Sequence, residues 1–274
     1  MIALFLTSME PQSLLGIAIC AIAIVSIGSI DDLFDIHAMA KLAGQLVVAI
    51  AAVLFGVQIT VISNPFGGVI ELNSLLGAII TIAWLIGMMN AINLLDGLDG
   101  LAPGVVLVAA LIMAVLSAEL GNMPLVLFGL ALAGSVAGFL PFNAYKASLI
   151  LGDSGSNLLG FLIGTLAILG QAKIGTALLV LGIPILDVAW TIVRRHRSGQ
   201  GITSRDTQHL HHRLVDAGLT RPQVTMVYVL LCAAFGASAL LLERAEKLFA
   251  LAALAVLTAG LLLVSSRNSS KKQR

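Results

Sequence analysis

The feature that most constrains this chain is a series of apolar stretches that recurs from residue 13 to residue 265. About nine candidates are long enough to matter: 13–30, 40–57, 74–93, 101–118, 123–141, 155–170, 174–193, 223–242 and 248–265. A bilayer core about 30 Å thick takes roughly 20 apolar residues as a helix. Backbone groups surrounded by lipid must bond within their own segment, which selects helices. The expected fold class is therefore all-α, a polytopic transmembrane helical bundle of about nine spans. The whole chain, 1–274, reads as a single integral membrane domain, with a cytoplasmic loop over 194–222. Composition agrees: apolar residues make up 59% and charged residues 11%. A soluble domain uses roughly 25% charged residues to build a solvated surface, so the solvent of this chain is largely lipid. Cys20 and Cys232 both lie inside apolar stretches and are expected to be free, buried thiols.

Alternate connections between spans fall on opposite sides. One side collects Lys41, Lys146, Arg194, Arg195, Arg197, Arg205, Arg213, Arg221, Arg267, Lys271, Lys272 and Arg274, and the other only Lys173, Arg244 and Lys247. That bias marks the first side as cytoplasmic. All histidines and all aspartates fall on the same side, while Glu10, Glu71, Glu119, Glu243 and Glu246 fall outside. Such segregation suggests a one-sided active site. The same map makes the first complete span run inward, so residues 1–10 should begin outside or within the membrane. MIALFLTSME reads like the tail of another span, and a chain truncated at its N-terminus is the expectation.

Four polar constellations interrupt the apolar pattern. GSIDDLFDIHAMAK places Asp31 and Asp32 side by side where the first full span ends. Adjacent carboxylates repel, raising one pKa unless a cation compensates; a solvated helix end explains the pair equally simply. NAINLLDGLDGLAPG steps Asn90, Asn93, Asp96 and Asp99 by three along an expected helix, a slowly turning stripe. Oxygen ligands of this kind suit Mg²⁺ when substrate phosphates complete its shell; a polar turn is the plainer reading. Gly152-Asp153-Ser154-Gly155-Ser156 opens a span, so its free amides could cradle phosphate, although helix capping accounts for the same residues. Asp153 could hold the metal that a phosphate brings.

The longest cytoplasmic connection, RRHRSGQGITSRDTQHLHHRL, combines arginines with His209, His211, His212 and Arg213. Cationic donors for a phosphate or pyrophosphate fit it better than zinc, since no cysteines accompany the histidines. A positive-inside loop explains the arginines but not the three clustered histidines. Asp187 lies inside the seventh expected span, where an acid is either functional or hydrogen-bonded between helices. Pro184 nearby should kink that span. Together these residues describe metal-binding acids, a phosphate cradle and cationic donors at one membrane face, a set suited to phosphoryl transfer.

DDLFD, NAINLLDGLDG, GDSGS and HLHHRL, in this order and with these spacings, resemble the polyprenyl-phosphate N-acetylhexosamine-1-phosphate transferases, glycosyltransferase family 4. The resemblance covers roughly residues 13–265, and the H-x-H-H form is similar to the undecaprenyl-phosphate GlcNAc-1-phosphate transferase branch. It implies transfer of an N-acetylhexosamine 1-phosphate from a UDP-sugar to undecaprenyl phosphate, releasing UMP, as the initiating step of a cell-envelope polysaccharide. The implied cofactor is Mg²⁺, with Mn²⁺ as an alternative, and the implied place is the cytoplasmic membrane of a bacterium.

Carried over by motif, Asp31 and Asp32 match the acidic pair near the lipid phosphate, and Asn93 and Asp153 match metal ligands. Asp96 and Asp99 match loop acids that place nucleotide and metal. Asn90 and Lys146 join the substrate-binding set, and His209, His211, His212 and Arg213 match the loop that grips the donor pyrophosphate. The chain departs from the pattern in three ways. Two preceding helices and their basic loop are missing, Ile150 replaces an aromatic residue, and Ser148 stands where a basic residue is common. A transporter built on Asp187, a catalytically incomplete paralogue and a homodimer remain open alternatives at this point.

Overall fold

The computed structural model describes residues 11–64, 67–170, 174–197 and 209–272. Residues 1–10, on which the truncation expectation rests, lie outside the described residues, as does the loop from 198 to 208.

The described chain is helical apart from one hairpin. Helices α1 (Pro11–Phe34) and α2 (Ala38–Leu54) are followed by an antiparallel pair, β1 (Val61–Ser63) and β2 (Val69–Glu71), with Ile62 opposite Ile70. Then come α3 (Ser74–Leu95), α4 (Leu101–Glu119), α5 (Met123–Asn143), α6 (Gly152–Leu169), α7 (Ile174–Val180), α8 (Gly182–Arg197), α9 (Leu210–Asp216), α10 (Arg221–Leu241) and α11 (Arg244–Lys272). Six of the described helices, α1, α3, α4, α5, α6 and α10, are long and apolar enough to cross a membrane. The stretch expected at 40–57 is the shorter apolar helix α2, and that at 248–265 lies within α11. The protein is a multi-pass membrane protein of the all-α class, with one short hairpin.

The expected span at 174–193 is two helices, broken at Leu181. Pro184 has no N–H to give the carbonyl of Val180, and its ring crowds that carbonyl, so the helix re-forms from Gly182 with Pro184 in its first turn. Polar caps set some of the other boundaries. Asn73 accepts Leu76 N–H at 2.8 Å to start α3, and Thr220 with Gln223 forms a capping box at α10.

Helices α4 and α6 form the interior, whereas α1 and α10 turn most of their surface outward. Outward-facing Leu15, Ile22, Leu33, Ile79 and Leu230 are the lipid-facing side of helices that are apolar all round. Helix α6 packs against α1 and α3, and α4 packs against α5 and α10. The α1–α6 contact needs Gly28: a Cβ there would lie 2.4 Å from the Ser154 Cα. That close approach brings the Asp31-Asp32 end of α1 to the first turn of α6.

Candidate active site

At this end of the bundle, polar side chains from α1, α3 and α6 meet around one ammonium carried by α2. Lys41 Nζ lies 3.1 Å from Asp31 Oδ2 and donates to Asn93 Oδ1 at 3.4 Å and to Asp153 Oδ2. The amide of Asn93 in turn donates to Asp153 Oδ1 at 2.6 Å and to Ser156 Oγ at 2.8 Å. Asp31 Oδ1 also accepts the Ile36 N–H at 3.0 Å, which holds the turn after α1. Two carboxylates and an amide oxygen thus converge on a single cation. Lys41 was counted above only as a topology signal. Its position in the first turn of an apolar helix, with Gln45 one turn on, is the pattern that could have singled it out.

Asp32 does something different from Asp31. Its two carboxylate oxygens accept the backbone N–H groups of Asp153 at 2.7 Å and Ser154 at 3.1 Å. The amides expected to lie open as a phosphate cradle are therefore held by a side chain from α1. Gly152 makes this possible, with φ at +68° and no room for a Cβ, which would sit 2.9 Å from Asp32 Oδ2. The negative carboxylate at the α6 N-terminus also complements the helix dipole.

The stripe of four residues stepping by three is half helical. Asn90 and Asn93 lie on α3, but the helix ends at Leu95 and Asp96 is its C-cap. The Gly97 and Gly100 pair breaks the period: Gly100 takes φ +73° and becomes the N-cap of α4. Asp96 faces Asp153 and Asp32 and takes a hydrogen bond from the Gly152 backbone; burial, then these two carboxylates, push it up to about 7. Asp99 turns the other way, accepting Ala147 N–H at 3.2 Å through its side chain, while its carbonyl accepts Thr225 Oγ1 at 3.2 Å. It ties the acidic loop to the turn that carries Lys146, which is exposed, as is Ile150.

Below the cation cluster a row of amides crosses the bundle. Asn90 Nδ2 donates to Gln45 Oε1 at 2.7 Å, and Gln45 Nε2 donates to Asn157 Oδ1 at 2.7 Å. Asn157 Nδ2 then donates to the Asp153 carbonyl at 2.7 Å. Gln45 and Asn157 are fully buried. Asn90, expected to touch substrate, spends its amide hydrogens on Gln45 and on the Ile86 carbonyl instead.

The H-x-H-H segment forms the short helix α9, with His209 as its N-cap. His211 is buried, its ring stacked near-parallel to His209 at 5.8 Å and tilted against His212 at 4.2 Å. Burial, then the His212 charge, lowers His211 to about 3, so it is a neutral imidazole and not the cationic donor expected of it. Its Nε2 points at the acidic loop, where a Cβ on Gly97 would approach to 2.5 Å. His212 and Arg213 are partly exposed, and burial, then His209, lowers the His212 imidazole from its ordinary value.

Among the described residues no three His, Cys, Asp or Glu side chains form a metal cage by themselves. The oxygens of Asp31, Asn93 and Asp153 nevertheless fit Mg²⁺, a hard cation commonly held by one or two carboxylates with substrate phosphates completing its shell.

Residues 14–171 match the sequence model of Glycosyl transferase family 4. The chain is 35% identical over 238 residues to the Bacillus subtilis protein named "Probable undecaprenyl-phosphate N-acetylglucosaminyl 1-phosphate transferase". That match covers 84% of this chain and 66% of the relative. It is also 35% identical over 274 residues to the decaprenyl-phosphate N-acetylglucosaminephosphotransferase of Mycobacterium leprae, covering 86% of this chain and 69% of that one. A third relative, the undecaprenyl-phosphate alpha-N-acetylglucosaminyl 1-phosphate transferase of Thermotoga maritima, is 35% identical over 193 residues, covering 70% and 58%. The chain thus spans roughly two thirds of the length of these relatives. The matched residues hold three of the four motifs and the whole cation cluster, and the chain belongs to glycosyl transferase family 4.

Proposed function

We propose that this protein transfers an N-acetylhexosamine 1-phosphate, GlcNAc 1-phosphate first among them, from a UDP-sugar to undecaprenyl phosphate. UMP is released, at the cytoplasmic face of a bacterial cytoplasmic membrane, and the product starts a cell-envelope polysaccharide. The carrying observation is the convergence of Asp31, Asn93 and Asp153 on one cationic centre at one end of the bundle. Phosphoryl transfer asks mainly for positioned charge, and this is where charge is positioned. The names of the relatives supply the acceptor and sugar classes, and the Lys/Arg bias supplies the face.

In the reaction an oxygen of the polyprenyl phosphate attacks the sugar-bearing phosphorus in line. A new P–O bond forms, the bond from that phosphorus to the bridging oxygen breaks, and UMP leaves with the electron pair. Asn93 and Asp153, with Asp31 beside them, are the residues to hold Mg²⁺, which when bound supplies a Lewis acid for the transferring phosphate. Lys41 is a compact charge with three donors, suited to a phosphate oxygen. Asp31, beside Lys41, is assigned either the proton of the acceptor phosphate or a charge that positions it. Asp32 keeps the first turn of α6, and so the Asp153 carboxylate, in place. We assign His212, Arg213 and the exposed Lys146 to the donor diphosphate, with His211 packed against Gly97.

The test is a transfer assay on membranes holding this chain, with Mg²⁺, undecaprenyl phosphate and a panel of labelled UDP-N-acetylhexosamines. Lipid-linked sugar and UMP should appear together and vanish with EDTA, and Asp153→Asn should lose at least about a hundredfold in rate. Near-normal turnover in Asp153→Asn would remove the metal assignment. Sugar movement without UMP would replace the transferase with a transporter.

A further inference from the structure

Asp187 is a buried acid on α8 that the proposed chemistry does not use. Its carboxylate serves the start of α9. Oδ1 accepts the Leu210 N–H at 3.0 Å, and Oδ2 lies 3.5 Å from His209 Nδ1. Thr191, one turn along α8, brings its hydroxyl to 3.4 Å from the same His209 nitrogen. His209 is the N-cap of α9 yet makes no capping bond with its own side chain, so Asp187 supplies from another helix the acceptor that the first turn lacks.

The consequences run on to the acidic loop. His209 stacks on His211 with only 4° between the rings, so the side chain that Asp187 and Thr191 fix in turn fixes the next. His211 is buried, and its Nε2 has no hydrogen-bond partner among the described residues. What holds that edge in place is contact with Gly97, beside Asp96. A helix of seven residues is too short to hold its orientation alone. Asp187, Leu210, His209 and His211 are all buried.

We infer that Asp187 is a positioning residue. Through Leu210 and His209 it docks the H-x-H-H helix onto the Gly97 turn, and so sets His212 and Arg213 at a fixed distance from the cation cluster. This rests on the proposed function only for what His212 and Arg213 would hold; the docking itself does not depend on it. Leu210 N–H can still bond an amide oxygen, so Asp187→Asn keeps one of the two contacts, while Asp187→Ala keeps neither.

The experiment uses the full chain in membranes, with diethylpyrocarbonate labelling of histidines read by mass spectrometry, alongside transfer kinetics. In the unaltered protein His211 is expected to resist labelling. In Asp187→Ala its labelling should rise at least about tenfold, and Asp187→Asn should fall between. In Asp187→Asn the donor KM should rise several-fold or more with the undecaprenyl phosphate KM unchanged, at a melting temperature close to that of the parent. Equal loss toward donor and acceptor would overturn the positioning role and leave a merely structural one. His211 protected in both variants, with donor KM unchanged, would overturn the inference outright. Should Asp187→Ala label at every histidine, the chain has unfolded and Asp187→Asn decides. Should the parent protein transfer no sugar phosphate, the proposed function fails and the labelling pattern alone decides the role of Asp187.

Discussion

The Asp32 carboxylate on α1 closes the N-terminus of α6 by accepting the Asp153 N–H at 2.7 Å. The neighbouring Ser154 N–H completes the cap at 3.1 Å, and Asp31, one residue earlier, faces Lys41 instead. Two adjacent acids thus have separate tasks, set by which helix each one meets.

The first prediction concerns that cap. A missing N-cap acceptor costs about 1 kcal/mol, which for a chain of this size is a melting temperature lower by about 2–4 °C. Asp32→Ala should show that drop, and Asp32→Asn, able to accept with one oxygen, a smaller one. Thermal unfolding in detergent measures it. An unchanged melting temperature in Asp32→Ala would show that the two amides are as well served by water.

The second concerns the buried amide row. Gln45→Leu strands the Asn157 carbonyl oxygen and removes one acceptor from Asn90. An unsatisfied buried polar group costs about 1–3 kcal/mol. The double variant Gln45→Leu/Asn157→Leu should therefore lose less stability than the two single changes added together. Strict additivity in the same unfolding assay would mean that the row is not a connected network.

A third follows from Asp96. Burial and the neighbouring carboxylates raise it to about 7 in the folded protein, above the ordinary value of roughly 4 in the unfolded chain. Between those values the unfolded chain gives up its proton while the folded one keeps it. Stability therefore falls as pH rises from about 4 to about 7, and levels off above that. Asp96→Asn has no proton to keep, so its melting temperature should gain on the parent across this range, by at least about 3 °C at pH 8. The comparison is made in EDTA, where no divalent cation neutralises the carboxylates. A difference that stays constant from pH 4 to pH 8 would show that Asp96 is not the group responsible.

Much of this protein is legible along the chain because lipid leaves the backbone few choices. Apolar length alone marks α1, α3, α4, α5, α6 and α10, and polar residues interrupting such stretches mark the candidate site, since each is costly unless it bonds to something. The motifs that carry the family resemblance sit where those interruptions occur.

What each interruption bonds to is a matter of tertiary structure. The expected span 74–93 ends close to the observed Leu95, but the period of three from Asn90 to Asp99 could not reveal that Asp96 and Asp99 turn opposite ways beyond it. Gly152-Asp153-Ser154 looked like open amides because nothing local fills them; their acceptor, Asp32, is 121 residues away from Asp153 in the sequence. Lys41 looked like one more basic residue until α1, α3 and α6 placed their oxygens around it. His211 looked like a cation until packing against Gly97 took it out of water. Local sequence determines which segments enter the membrane and which residues lie at their ends. Pairing, protonation and exposure depend on distances between helices far apart in the chain, and only the packed bundle sets those.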